Sequence, residues 1–325
     1  MLISVVVCTY NGIAYLRQQL DSIRSQLRQP DEVLIFDDVS ADGSAQFCAE
    51  YIRSNSLENA WRLSVNPRNL GFVANFCQAI GAARGDWVAL CDQDDVWTPD
   101  KLLRMEECAA QHPDAHAIAG AFDVIDGAGA PCPDSLHRDI VGATQLPCGN
   151  EAHKLPNFST DSSLLLKNFA PGCTLLVSRP ACEAYLSHTR KEIPHDWELL
   201  IVAQMMDGLY YLSGPTTHYR IHDKNTIGVT HKKRFAVPSV GGRVRTLNTA
   251  DAVLRTAQRY APIFPGNDAG FNAEYERFLR HRRRAYADGS VRDFLAMLTN
   301  RRIYLRMFTR MQRLGDLFAF FFGGR

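Results

Sequence analysis

The nine cysteines of this chain include no Cys-x-x-Cys pair and no Cys/His cluster at zinc spacing. Neither a structural zinc nor a disulfide framework is signalled, and reduced cytosolic thiols are expected. No run of about twenty apolar residues is present, which excludes a conventional transmembrane helix. The opening MLISVVVCTY carries no basic leader and flows into a plausible first strand, so no signal peptide is expected. Two nucleotide signatures are missing as well: no Gly-x-Gly-x-x-Gly follows that strand, and no Gly-x-x-x-x-Gly-Lys-Ser/Thr occurs. A dinucleotide dehydrogenase or P-loop enzyme is thereby disfavoured. Any phosphate bound here would be held by metal and basic side chains.

Charge of one sign is scarce only on average. The net charge is +1 over 325 residues, yet residues 231–325 hold 19 Lys and Arg against 7 Asp and Glu, and residues 1–230 hold 17 against 28. The segments carry +12 and −11, so they face different partners. The length suits one large α/β domain with an appendage, divided here as 1–230 and 231–325.

The most informative stretch is WVALCDQDDVW, residues 87–97. A short apolar strand, Trp87 to Cys91, runs into Asp92, Gln93, Asp94 and Asp95. Carboxylates gathered at the carboxyl end of a buried strand lie where open α/β sheets bind ligands. Their mutual repulsion calls for a cation, and a hard divalent ion, Mg²⁺ or Mn²⁺, would in turn hold a diphosphate. The alternative is a charged turn that caps the next helix.

Around this stretch, apolar β-branched runs at Ile3–Cys8, Val33–Phe36 and Trp61–Val65 alternate with helical periodicity. Ile13, Leu16, Leu20, Ile23 and Leu27 share a helix face that Pro30 terminates. Further helices are expected at Ala45–Ser54, around Asn75 and at Lys101–Gln111. The strand–helix alternation predicts a Rossmann-like, mostly parallel α/β sheet with its polar strand ends along one edge. A strand at His116–Val124 follows, then a long Gly/Pro-rich loop from Asp126 to Thr160, with acceptor selection as its functional reading. Beyond it come a strand at Leu175–Val177, a short helix near Ala181, and His195, Asp196 and Trp197 heading a helix to Met206. Two edge strands, Gly208–Leu212 and Thr217–Ile221, lead to His222. Asn69, Gly71 and Asn75 either cradle a diphosphate or shape a turn.

In order, VVVCTYNG, IFDDVSADGS, NLGFVANF, CDQDD, PGCTLLVSR, HDW and YRIHDKN resemble the family 2 glycosyltransferases, inverting enzymes of the A-type glycosyltransferase fold. DQDDVW, HDW and YR-x-H look most like the bacterial rhamnosyltransferase branch. The resemblance covers about the first 230 residues. It implies that Thr9, Tyr10, Asp37 and Asp38 hold the base and ribose of a nucleotide sugar; Asn69 is counted with the nucleotide-sugar-binding residues through its diphosphate reading. Asp92 would contact ribose or metal, Asp94 would be the principal metal ligand, and His222 would complete the shell. Arg220 would steady the diphosphate. Asp196 would be the general base, its pKa raised by desolvation; the plainer role for Asp196 is a helix N-cap. One departure is visible. Val39 stands where the family usually has Gly, and a β-branched residue resists φ > 0, so the base-binding loop is expected to be shaped differently.

Other classes remain in view. Asp92 to Val96 also fits the Asp-x-Asp-x-Thr/Val pattern of haloacid-dehalogenase-like phosphatases, with Asp92 as nucleophile, although that motif normally follows the first strand. A non-catalytic nucleotide-sugar-binding protein would have no need of Asp196. In the basic segment, Arg302, Arg306, Arg310 and Arg313 recur at helical spacing, with Ile303, Met307, Met311, Leu314, Phe318 and Phe321 mainly on another side. Such a helix suits an anionic membrane surface, where lipid-linked saccharide acceptors are found; a helical cap on a protein partner is the alternative. No nucleic-acid-binding signature is present. The expected location is cytoplasmic, peripheral on the inner face of the inner membrane.

Overall fold

The computed structural model describes residues 1–133, 137, 146–147, 149, 151–157, 163–165, 167–223, 225, 240–264, 269–305, 313–314, 316–317 and 320–321. Four parallel strands form its first half: β1 (Ile3–Thr9), β2 (Glu32–Asp37), β3 (Trp61–Val65) and β4 (Trp87–Asp92), in the spatial order β3-β2-β1-β4. Helices α1 (Ile13–Arg24), α2 (Ser44–Ser54) and α3 (Phe72–Ala82) make the crossovers. The expected α/β class and A-type sheet are therefore present. Leu27 departs from its predicted helical face, since α1 stops at Arg24 and Leu27 is 70% exposed.

Alternation along each strand feeds two cores, as the pleat requires. Val5, Val7, Val33, Ile35, Ala89 and Cys91 point to one face, against Leu16, Leu20 and Ile23 of α1 and Cys48 and Ile52 of α2. Val6, Leu34, Phe36, Val88 and Leu90 point to the other, against Phe76 and Ile80 of α3. Burial on both faces is why these strands read as unbroken apolar runs. Truncating Ile23, fully buried, to Ala would cost about 2–5 kcal/mol.

The sheet continues through β8 (Leu175–Ser178), antiparallel to both β4 and β6 (Ala117–Asp126), and ends with β9 (Leu209–Ile221) and β5 (Val96–Trp97). Helix α4 (Lys101–Gln111) lies between β5 and β6 in the chain, and β7 (Ala152–Lys154) pairs with β9. The two edge strands expected around Ser213 to Thr216 are one strand of 13 residues with neighbours on both sides. Its Gly214–Pro215 interruption is absorbed as a register shift against Gly120 and Ala121 of β6. The shift needs glycine on the partner, because a Cβ at Gly120 would lie 2.1 Å from Thr216 Oγ1. The bend carries Arg220 and His222 up to the acidic loop.

Helices α5 (Arg179–His188) and α6 (His195–Met205) lead to a helical segment: α7 (Val240–Tyr260), α8 (Ala269–Asp288), α9 (Val291–Thr299) and a π-helical turn at Arg301–Leu305. Leu247, Val253, Tyr275, Phe278 and Phe294 of that segment join the same apolar cluster as α3 and α6. Tyr260 donates to the fully buried Glu198 of α6 at 2.9 Å, and Arg282 bonds buried Asp316 at 2.9 Å. Residues 134–136, 138–145, 148, 150 and 158–160 of the long loop lie outside the described residues, as do Arg306, Met307, Arg310, Met311 and Phe318 of the basic helix.

Candidate active site

The carboxyl ends of β1, β2 and β4 lie side by side, with Thr9 opposite Asp37 and Cys8 opposite Asp92. Thr9 Oγ1 donates to Asp37 Oδ2 at 2.7 Å, and Asp37 also accepts from the backbone N–H and hydroxyl of Ser40. Asp38 is 2% exposed and accepts from Leu70 N, Gly71 N and Asn66 Nδ2, each at 2.8 Å. Its carboxylate thus shapes the Asn66–Gly71 loop, aided by Asn69 Nδ2 donating to the Asp38 carbonyl at 3.2 Å. Asn75 ties the same loop down through Phe36 O and Asn66 Nδ2. Val39 adopts φ 64° despite its branch. The loop therefore takes the left-handed turn that glycine would take, held by these flanking bonds at a cost in strain.

Tyr10, half-exposed, is fixed at its backbone, where its N–H donates to Gln93 Oε1 at 2.7 Å and its carbonyl accepts from Gln93 Nε2 at 3.1 Å. Gln93 packs over Gly12, where a Cβ would collide with it at 2.2 Å. The residue between the carboxylates is thus the pin joining β1 and β4.

Asp94 Oδ2 lies 2.9 Å from His222 Nε2, with both side chains little exposed. Arg220, expected at the diphosphate, is buried at 1% exposure and bonded to protein oxygens. Its Nε donates to Asp94 O at 2.6 Å, Nη1 to Asp126 O at 3.1 Å and Nη2 to Gln18 Oε1 at 2.6 Å. Its backbone N–H donates to Asp95 Oδ1 at 2.8 Å. The guanidinium holds the acidic loop from behind.

Burial, and then repulsion from Asp95, Asp94 and Asp196, pushes the Asp92 carboxyl well above the ordinary carboxylate range. Asp95 is pushed up to about 7, by burial and then by Asp94. Its Oδ2 is buried with no hydrogen-bond partner among the described residues. Lys101, fully buried, donates to Cys173 O and to Thr217 Oγ1 and lies 4.2 Å from the Trp97 ring centre; burial lowers it to about 8. Crowded carboxylates with an orphaned oxygen fit a hard cation, which would relieve the repulsion. Asp92, Asp95 and Cys173 offer ligand atoms all within 4.8 Å of one another. Burial pushes the Cys173 thiol well up, and a neutral thiol is a poor ligand for Mg²⁺ or Mn²⁺. Asp92 and Asp95 therefore supply the oxygens of that group, while the Asp94–His222 pair, 2.9 Å apart, lies outside it.

Asp196 stands in the first turn of α6, where a negative charge is favoured. It accepts from Asn168 Nδ2 at 2.9 Å and from Trp197 N at 2.8 Å. Burial outweighs these bonds and raises its pKa to about 6. The neighbouring His195 is 4% exposed and stacks on Phe76 at 3.9 Å, and burial lowers it to about 3, so it stays neutral. Close packing at Gly172 seals this corner, since a Cβ there would meet His195 Nε2 at 3.2 Å and Asp196 Cβ at 3.4 Å. A carboxyl of raised pKa thus lies close enough to the acidic cluster to perturb Asp92.

Residues 4–181 match the description "Glycosyl transferase family 2". The chain belongs to this family. It is 36% identical over 143 residues to an uncharacterized protein of Mycobacterium tuberculosis, covering 42% of this chain and 41% of that protein. It therefore spans about two fifths of the length of that relative. With the dTDP-rhamnosyl transferase RfbG of Shigella flexneri it shares 25% identity over 233 residues, 68% of this chain and 73% of that one. Among solved structures, S. aureus TarS 1-349 in complex with UDP superimposes with TM-score 0.57 at 15% identity, covering 98% of this chain and 87% of that one. The mannosyltransferase PcManGT of Pyrobaculum calidifontis, in complex with GDP-Man and Mn²⁺, gives 0.52 at 16% identity, over 98% and 84%. These two likenesses speak to the fold.

Family 2 membership gives the phosphatase reading no support, and Asp92 ends the fourth strand rather than the first. The fold brings Thr9, Tyr10, Asp37, Asp38, Asn69, Asp92, Asp94 and His222 to one edge, with Asp196 facing Asp92. Gln93, Lys101 and Cys173 acquire roles that sequence reasoning missed. A Gln framed by aspartates and the quoted PGCT were the only signals for two of them, and Lys101 gave none.

Proposed function

We propose that the protein is a metal-dependent inverting glycosyltransferase that moves a sugar from a nucleoside diphosphate onto a saccharide hydroxyl in cell-surface polysaccharide assembly. The observation that carries this reading is the raised-pKa Asp196 set against the Asp92–Asp95 cluster. As a carboxylate, Asp196 takes the proton of the acceptor hydroxyl while the hydroxyl oxygen bonds to the anomeric carbon; the bond from that carbon to the diphosphate breaks on the opposite face, and the electron pair leaves with the phosphate. Asn168 orients the base. A bound Mg²⁺ or Mn²⁺ would neutralise charge on the departing diphosphate, with Asp94 as principal ligand, His222 beside it and Asp92 at metal or ribose.

In this reading Thr9, Tyr10, Asp37, Asp38 and Asn69 form the wall for the base and ribose, where Asp38 acts through the loop it holds. Arg220 serves the diphosphate indirectly, by fixing Asp94. The similarity to RfbG and the DQDDVW, HDW and YR-x-H motifs favour L-rhamnose, carried by dTDP, as the donor sugar. The +12 segment and the exposed Val291, Leu295, Leu314 and Phe321 favour an anionic membrane surface on the cytoplasmic side, with a lipid-linked acceptor. No helix among the described residues is long and apolar enough to cross a membrane. Thermal-shift measurement against a panel of nucleotide sugars with Mn²⁺ tests the donor: dTDP-rhamnose should raise the melting temperature most, and a larger shift with another donor removes the rhamnose assignment.

A further inference from the structure

Tyr15, on the first turn of α1, is half-buried. The His222 ring stacks on its ring with centroids 4.6 Å apart and planes 29° apart, and the Arg220 guanidinium carbon lies 4.9 Å from the same centroid. The Arg220 side chain grips the carbonyl of Asp94, while His222 Nε2 meets the carboxylate of Asp94 at 2.9 Å. Gly127 lies against both rings' side chains, since a Cβ there would be in ordinary contact with the Tyr15 hydroxyl at 3.4 Å and with His222 Cβ at 3.7 Å. The Gly127 carbonyl is itself an acceptor for Arg220 Nη1, at 3.3 Å. One ring from α1 therefore contacts both β9-derived side chains that fix Asp94, one through its backbone and one through its carboxylate.

We propose that Tyr15 is a positioning residue for the divalent-cation site: its ring sets the plane of His222 and steadies Arg220, so that Nε2 and the Asp94 carboxylate converge on one point. This rests on the cation reading given above. An imidazole left to rotate about its side-chain bonds would have to be ordered at the moment of binding, and outer-shell partners that prevent this are worth about 10- to 100-fold in metal affinity. Tyr15 needs no contact with metal or nucleotide to act. Its aromatic face rather than its hydroxyl does the positioning, because the stacking partners lie on the ring.

The test is Mn²⁺ affinity measured on the whole chain without nucleotide, by the loss of the free-ion electron paramagnetic resonance signal, for the wild type, Tyr15→Phe, Tyr15→Leu, His222→Ala and the Tyr15→Leu/His222→Ala double variant. Circular dichroism melts are recorded alongside. Tyr15→Phe should stay within about twofold of wild type, and Tyr15→Leu should lose about tenfold or more. In the His222→Ala background the Leu substitution should add little, because its effect runs through the imidazole. If the wild type binds Mn²⁺ and Tyr15→Leu binds it equally well, the positioning role is wrong and the cation site stands. A full, additive loss in the His222→Ala background also overturns it, as does a Tyr15→Phe variant that melts normally yet binds as poorly as Tyr15→Leu. Failure of the wild type to bind Mn²⁺ overturns the cation reading and this proposal together.

Discussion

His222 Nε2 lies 2.9 Å from Asp94 Oδ2, across 128 positions of the chain. The pair forms because β9 bends at its Ser213–Thr216 register shift and delivers its end to the loop that follows β4. An imidazole and a carboxylate held at this distance offer a pair of donors to a cation, next to the mutually repelling Asp92 and Asp95. Nucleoside diphosphate binding should accordingly require divalent metal, and Asp94→Ala should abolish both the binding and the requirement. Calorimetry with and without EDTA measures this; undiminished affinity in EDTA contradicts the metal assignment.

Val39 at φ 64° carries strain that glycine at the same place would not, about 1–2 kcal/mol against the roughly 0.5–1 kcal/mol that glycine loses in chain entropy. Val39→Gly should therefore leave the loop's shape intact and raise stability by up to about 1 kcal/mol. A denaturant midpoint that falls in the variant shows that the valine side chain contributes contacts outweighing its strain.

On the helical segment, Leu295 and Leu314 are 55% and 57% exposed. Glutamate at both should abolish co-sedimentation with anionic vesicles and leave activity on a soluble acceptor near normal. Vesicle binding that persists, or that ignores salt, contradicts a surface-bound segment. Deleting residues 300–325 is the poorer test, because it removes buried Ile303 and Tyr304 and the Asp316 partner of Arg282.

The first half of the sheet was legible because each of its strands is buried on both faces or ends in a polar turn, and such patterns are local. β9 was not, because Gly214 and Pro215 read as a break, and only its partner Gly120 reveals a strand that continues. The carboxylates of the site could be picked out at strand ends and at a helix start. The protein partners of Arg220 were not legible, because nothing local distinguishes an arginine facing a phosphate from one facing backbone carbonyls. Val39 was read as reshaping its loop, whereas the bonds to Asp37 and Asp38 hold the turn against the preference of the side chain. Lys101 and Tyr15 owe their roles to contacts made across the fold.

With the Asp196 carboxyl raised to about 6, turnover at saturating donor should fall roughly tenfold per pH unit below that value and level off above it, since only the carboxylate accepts a proton. The stability effect has the opposite sense. The folded chain holds this proton more tightly than the unfolded one, whose Asp titrates near 3.9, so stability is lost as pH rises from about 4 through 6. Asp196→Asn, which keeps an oxygen for Asn168, should be at least as stable as wild type at pH 8. A less stable variant there would mean that the hydrogen bonds of Asp196 outweigh its burial.

Whether Asp196 is the base is decided by single-turnover kinetics of Asp196→Asn at saturating donor, with donor affinity measured on the same protein. Donor affinity should stay close to wild type while turnover falls by roughly 10² to 10⁴. Pro194, not Asp196, is the N-cap of this helix, so near-normal turnover in this variant would show that Asp196 only places a carboxylate in the first turn and that the proton goes elsewhere.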